Sequence, residues 1–184
     1  MTEWTNADRT GDASPEFASF WVRAGAAILD TVLFIPVVLL SQYNIFTVKS
    51  FFLELLLACL WLIYKPYMEY QYGATLGKMA FKLRVIGEDL QRITLDQSVK
   101  RFAFYFLGYL GAILVNYWSF HHPDFASVEN FEQLAQIRES FSAEFIANVA
   151  NIPIFVSIVA VIFDPQKQAL HDQLAQTYCV YHRQ

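Results

Sequence analysis

Residues 20–40, read as FWVRAGAAILDTVLFIPVVLL, are apolar except for two charges, Arg23 and Asp30. As a helix the run rises roughly 30 Å, enough to cross the hydrocarbon core of a bilayer, so it predicts a first transmembrane span. The two charges stand two helical turns apart, on one face and roughly 10 Å apart along the axis. Arg23 sits near the end of the span and can snorkel to the interface, whereas Asp30 lies too deep. A carboxylate at that depth is costly unless it is paired, protonated or turned toward a protein interior. Asp30 is therefore expected to face a helix bundle and is the leading functional residue.

The composition agrees with a membrane protein. The 184 residues are 55% hydrophobic and 17% aromatic, with 16% charged, against roughly 25% charged in soluble domains. The net charge of −4 gives no footprint for nucleic acid. Cys59 and Cys179 form neither a disulfide framework nor a zinc spacing and read as packing residues. No nucleophile elbow, redox cysteine pair or zinc signature points to an enzyme, and no cofactor or metal site is expected. Residues 1–16 lack the basic start and small-residue cleavage site of a secretory signal. They are expected to form a disordered cytoplasmic leader ahead of one membrane domain over 17–181.

Three further spans follow. Residues 41–49 are expected to make a tight turn, and 47–65 a second span with Trp61, Tyr64 and Tyr67 in an interfacial aromatic belt. Glu54 falls near the outer end of that span, where headgroup level tolerates a carboxylate, and stands as a secondary candidate. Residues 102–120 give a third span, with Gly108 and Gly111 offering close approach and Asn116 an interhelical hydrogen bond. Residues 145–163 give a fourth, whose Asn148, Asn151 and Pro153 either line the interior with Asp30 or lie at the membrane margin.

Basic residues set the orientation. Lys65, Lys78, Lys82, Arg84, Arg92, Lys100 and Arg101, seven of the thirteen, fall between spans two and three, while the loop between spans three and four is acidic. This predicts four spans with both termini cytoplasmic. In the outer loop Val128, Phe131, Leu134, Ile137, Phe141 and Phe145 recur at three or four, the pattern of an amphipathic helix lying on the surface.

Gly73, Thr75, Gly77 and Lys78 invite comparison with a phosphate-binding loop, but a Walker A loop has four residues between its glycines and Ser or Thr after the lysine, where this chain has three and Met79. The glycines suit close helix packing, and Lys78 and Lys82 are expected to face anionic headgroups. Residues 82–86 and 92–95 alternate apolar and charged around Gly87-Glu88-Asp89, the signature of a short hairpin. In the tail, Asp164 and Pro165 are expected to cap a short helix, 177–181 to form a strand, and His171 to lie at the surface. His121 and His122 read as a solvated pair.

With Arg23, Asp30, GATLGKMAFKLRVI and LHDQLAQTYCV placed, the chain resembles the RDD family of bacterial membrane proteins, named for one arginine and two aspartates. The resemblance covers 17–181. It implies that Arg23, Asp30 and Asp172 are the family's three charges, and that Gly73, Thr75, Gly77 and Lys78 fill its G-x-T-x-G-K stretch. Two departures stand out: the segment before His171, often basic with glycine in the family, is Gln166-Lys167-Gln168-Ala169, and the outer loop is long and acidic. The resemblance implies a bacterial plasma (inner) membrane location and a small transporter, some members being similar to sodium/proton antiporters. Two readings follow. In one, Asp30 exchanges protons for monovalent cations in an oligomer. In the other, Arg23, Asp30 and Asp172 are a structural ion-pair network in a non-transporting scaffold or accessory subunit.

Overall fold

The computed structural model describes residues 15–139 and 142–182. The expected leader falls almost wholly outside them, as does Phe141 of the amphipathic pattern. Helices dominate: α1 (Phe20–Leu33), α2 (Ile35–Tyr43), α3 (Phe51–Tyr72), α4 (Leu76–Ala80), α5 (Leu95–Phe120), α6 (Phe131–Glu139), α7 (Ala143–Phe163) and α8 (Leu170–Leu174), with strands β1 (Leu83–Gly87) and β2 (Thr177–Tyr181). Among the described residues three helices are long and apolar enough to cross a membrane, and the bent pair of Phe20–Leu33 and Ile35–Val48 supplies a fourth if it counts as one span. Trp21, Phe52, Phe155 and Phe163 leave between 69% and 80% of their surface uncovered. Water would penalise that apolar area heavily, and lipid does not.

The first span is broken. Its halves meet at 45° across Phe34, because Pro36 has no N–H to continue the helical ladder at the start of α2. The helical path then runs on through a π-helical turn at Asn44–Val48, where a tight turn is expected from the sequence, and ends at Lys49 in the left-handed region (φ 58°). The second span is displaced from 47–65 to Phe51–Tyr72: Ser50 accepts from the Leu53 N–H at its start, and Gly73 (φ 74°) closes it in a conformation that favours glycine. The third begins earlier than 102, at a capping box of Thr94 and Gln97.

The expected hairpin is corrected. β1 pairs antiparallel with β2, Leu83 opposite Tyr181 and Gly87 opposite Thr177, and the 92–95 stretch contributes one bridge, Ile86 to Arg92. On the far edge of β2, Phe17 bridges Val180 and the Ala18 N–H donates to the Cys179 carbonyl. This sheet closes one end of the bundle over Ala18, Ala26, Leu83 and Cys179. The other end is closed by Ile45, Phe125, Val128, Leu134 and Ile137, so α6 packs its apolar side inward rather than lying free. Between the ends, a Cβ at Gly111 would come within 2.5 Å of the Ala150 Cβ and one at Gly108 within 2.7 Å of Asn151 Oδ1, which shows how closely α5 and α7 approach.

Candidate functional site

Two buried polar systems occupy the half of the bundle nearest the sheet. The first is centred on Asp172, on the short helix α8. Its Oδ2 accepts from Arg23 Nη2 at 2.5 Å and from the Ala169 N–H at 3.0 Å; its Oδ1 accepts from Arg101 Nη1. Arg101 also donates from Nε to Glu69 Oε2 at 2.8 Å and to the Thr177 hydroxyl at 2.6 Å, and Lys78 Nζ reaches Glu69 Oε1 at 2.5 Å. The chain from Arg23 to Asp172, Arg101, Glu69 and Lys78 thus ties α1, α8, α5, α3 and α4 together, with Glu69 and Arg101 each 1% exposed and Asp172 fully covered. Burial alone would push the Asp172 carboxyl up, but the Arg101 and Arg23 guanidiniums outweigh it and hold the group well below the usual carboxylate range.

His171 belongs to the same knot and is not at the surface. Ser157 of α7 accepts from the His171 backbone N–H at 3.1 Å and lies 2.8 Å from Nδ1, while Nε2 is 3.3 Å from Asp172 Oδ1. Burial pushes the imidazole well below its ordinary value against the pull of Asp172. Asp164 does not cap α8: its Oδ1 accepts from the Gln166 and Gln168 N–H groups, and the helix begins only at Leu170. That loop sets Lys167 at φ 55°, which turns its carbonyl to accept from Arg23 Nη1 at 2.7 Å.

Asp30 forms the second system. Arg23, expected as its partner, is committed to Asp172, and Asp30 meets neutral donors instead. Oδ1 accepts from the Gly77 N–H at 2.7 Å and the Tyr64 hydroxyl at 2.9 Å, and Oδ2 from the Thr75 hydroxyl at 2.6 Å. The Tyr64 oxygen accepts in turn from the Leu76 N–H at 3.0 Å. The 73–80 segment therefore folds back onto α1, and Gly77 lets it: a Cβ there would run into the Ala26 carbonyl oxygen. Lys78 pairs with Glu69 rather than with headgroups, its side chain 12% exposed. Asp30 and Arg23 do share one face, as their spacing predicts, and both line a cavity of about 370 Å³ with Thr31, Trp61, Lys65, Thr75, Lys78, Tyr105 and His171. Lys65 Nζ lies 3.1 Å over the Tyr105 ring.

The secondary candidates gather elsewhere. Glu54, in the first turn of α3 at the end of its span, is buried, with Oε1 accepting from Ser41 at 2.7 Å and Asn116 at 3.4 Å, and Oε2 from Asn44 at 3.2 Å. Asn116 Oδ1 accepts from Arg138 Nη2 at 3.0 Å. Asn148 and Asn151 are exposed and do not line the Asp30 cavity; Asn151 donates to the Ala147 carbonyl in its own helix. Sequence reasoning missed Glu69, Arg101, Lys65 and Tyr64 as site residues. Lys65 and Glu69, one turn apart near the end of an apolar helix, carried the available signal.

Comparison with curated proteins and with solved structures finds no match. The sequence model of one family matches residues 17–176, most of the chain and all of both buried systems except Thr177, and on that match the protein belongs to the RDD family.

Proposed function

We propose that this chain is a small transporter of the bacterial plasma membrane, not an enzyme, that exchanges monovalent cations for protons at Asp30. Four spans with both termini cytoplasmic fit the placement of the basic residues, and a homo-oligomer fits a bundle that encloses little space of its own. One observation carries the reading: Asp30 borders a cavity of about 370 Å³ and has hydroxyl and amide donors around it where an arginine would have neutralised it. A carboxylate so placed gains from a cation or a proton entering the cavity. The other cations on that wall are engaged, Arg23 by Asp172, Lys78 by Glu69 and Lys65 by the Tyr105 ring.

The scaffold reading is favoured for the remaining charges. Arg23 and Asp172 sit in a network whose members answer one another, the behaviour of a structural latch. The test is sodium- or potassium-dependent dissipation of an imposed pH gradient in proteoliposomes. Wild type is expected to show flux and Asp30→Asn to lose it at comparable folded yield. No flux with either ion in wild type sinks the exchange reading and leaves the scaffold.

A further inference from the structure

A second carboxylate lies in the opposite half of the bundle. Glu54, in the first turn of α3, is 7% exposed, and its partners Ser41, Asn44 and Asn116 are all neutral. Arg138, close enough to feel the Glu54 charge, directs its own hydrogen bonds to Asn116 and Ser119. Glu54 borders its own cavity of about 320 Å³, and Thr31 and Trp61 form part of its wall and of the Asp30 cavity's wall alike. The partition between the two spaces is thus a thin one.

An aromatic cluster fills that partition. Phe34 stands edge-on to Trp61 at 4.2 Å between centroids, with Tyr64 at 4.9 Å from Phe34. Phe34 is also the residue at which the first span breaks, and its N–H donates to the Asp30 carbonyl at 3.2 Å. The Tyr64 hydroxyl, on the other side of the cluster, donates to the Asp30 carboxylate. The cluster is therefore bonded to Asp30 through backbone and side chain, at a point where the helix ladder is already interrupted.

Building on the exchange reading above, we propose that Glu54 is a second monovalent-cation station on the same path as Asp30, and that Phe34, Trp61 and Tyr64 form the gate between the two. A proton or alkali cation arriving at Asp30 competes for the oxygen that holds the Tyr64 hydroxyl. Releasing that bond frees Tyr64, and the ring pair at the broken span swings to join the cavities. A cation then passes between two carboxylates and is never left in hydrocarbon without a counter-charge.

The proteoliposome assay tests this with four variants. Glu54→Gln is expected to cut cation-dependent flux at least tenfold and Glu54→Asp to restore part of it. Trp61→Ala is expected to leak, dissipating the gradient without added sodium or potassium, and Tyr64→Phe to lose cation dependence. A companion measurement uses wild type alone: modification of Glu54 by a hydrophobic carbodiimide, followed by mass spectrometry. Protection by sodium or potassium at fixed pH identifies an alkali-ion station, whereas labelling that responds to pH alone is the behaviour of any carboxyl and overturns it. Flux lost in Asp30→Asn but unchanged in Glu54→Gln, or Glu54 labelling that neither sodium nor potassium alters at fixed pH, overturns the second station while the exchange reading stands. Absence of wild-type flux overturns both. Should Glu54→Gln fold poorly, the carbodiimide result decides.

Discussion

A double-mutant cycle measures which carboxylate answers Arg23. Asp172→Asn removes the charge facing Arg23 at 2.5 Å and one of the two carboxylates facing Arg101, leaving Arg23 without a carboxylate and Arg101 with Glu69 alone. That places the loss within about 3–5 kcal/mol for breaking a buried pair. Arg23→Gln removes one charged hydrogen bond to Asp172 and one to the Lys167 carbonyl, while Arg101 still holds Asp172, so about 1.5–3 kcal/mol is expected. Once Asp172 is neutral, removing Arg23 also removes the charge left unpaired, so the double mutant should be no less stable than Asp172→Asn alone, a coupling of at least about 2 kcal/mol. Arg23 and Asp30 share no hydrogen-bond partner, so their combination should be additive to about 0.5 kcal/mol. The assay is unfolding in mixed micelles of rising dodecyl sulfate fraction, followed by tryptophan fluorescence. A coupling between Arg23 and Asp30 as large as that between Arg23 and Asp172 would refute the assignment.

Gly77→Ala should destabilise by about 1–3 kcal/mol in the same assay, because the added methyl meets the Ala26 backbone and the Asp30 Cγ at 2.8 Å, whereas Gly25→Ala meets only the movable Phe81 ring and should lose less. Stability should also fall on mild acidification. His171 titrates well below its ordinary 6.5 when folded, so below pH about 6.5 the unfolded chain binds more protons and stability drops as pH falls, by up to about 1.4 kcal/mol per unit. His171→Gln should flatten that slope between pH 6.5 and 5, and Asp172, also depressed, adds its loss only below its ordinary 3.8.

Local chemistry explains which parts were legible. The spans announce themselves through length and apolarity, and Asp30 through depth, since both depend on residues close together in the chain. Strand pairing does not: β1 and the 92–95 stretch carry the alternation of a hairpin, yet the partner with the better register lies at 177–181, beyond helices α5 to α8. Charge partners fail for the same reason. Arg23 and Asp30 are neighbours on one helical face, but Arg23 instead bonds Asp172, 149 residues away. Arg101 and Lys78 look like loop cations in a count of basic residues because nothing within a few positions shows Glu69 waiting for them.

Arg23, Asp30 and Asp172 divide by how completely each is answered. Arg23 and Asp172 belong to a set of two carboxylates and three cations, Glu69, Asp172, Arg23, Lys78 and Arg101, that holds α8 and the two-stranded sheet against the spans. Altering any member exposes a buried charge, so changes there register as stability first. Asp30 is held by three donors that carry no charge, on a helix broken one turn later at Phe34 and beside a cavity. Its surroundings fix the carboxylate in place without neutralising it, which leaves the charge available to something that enters. The latch keeps the 73–80 segment pressed onto α1 through Lys78, and that segment supplies the Thr75 and Gly77 donors to Asp30. Loosening the latch at Lys78 should therefore disturb Asp30, and by linkage changing Asp30 should weaken the Lys78 end of the latch to the same extent, while Arg23, at the far end of the network, stays additive with Asp30.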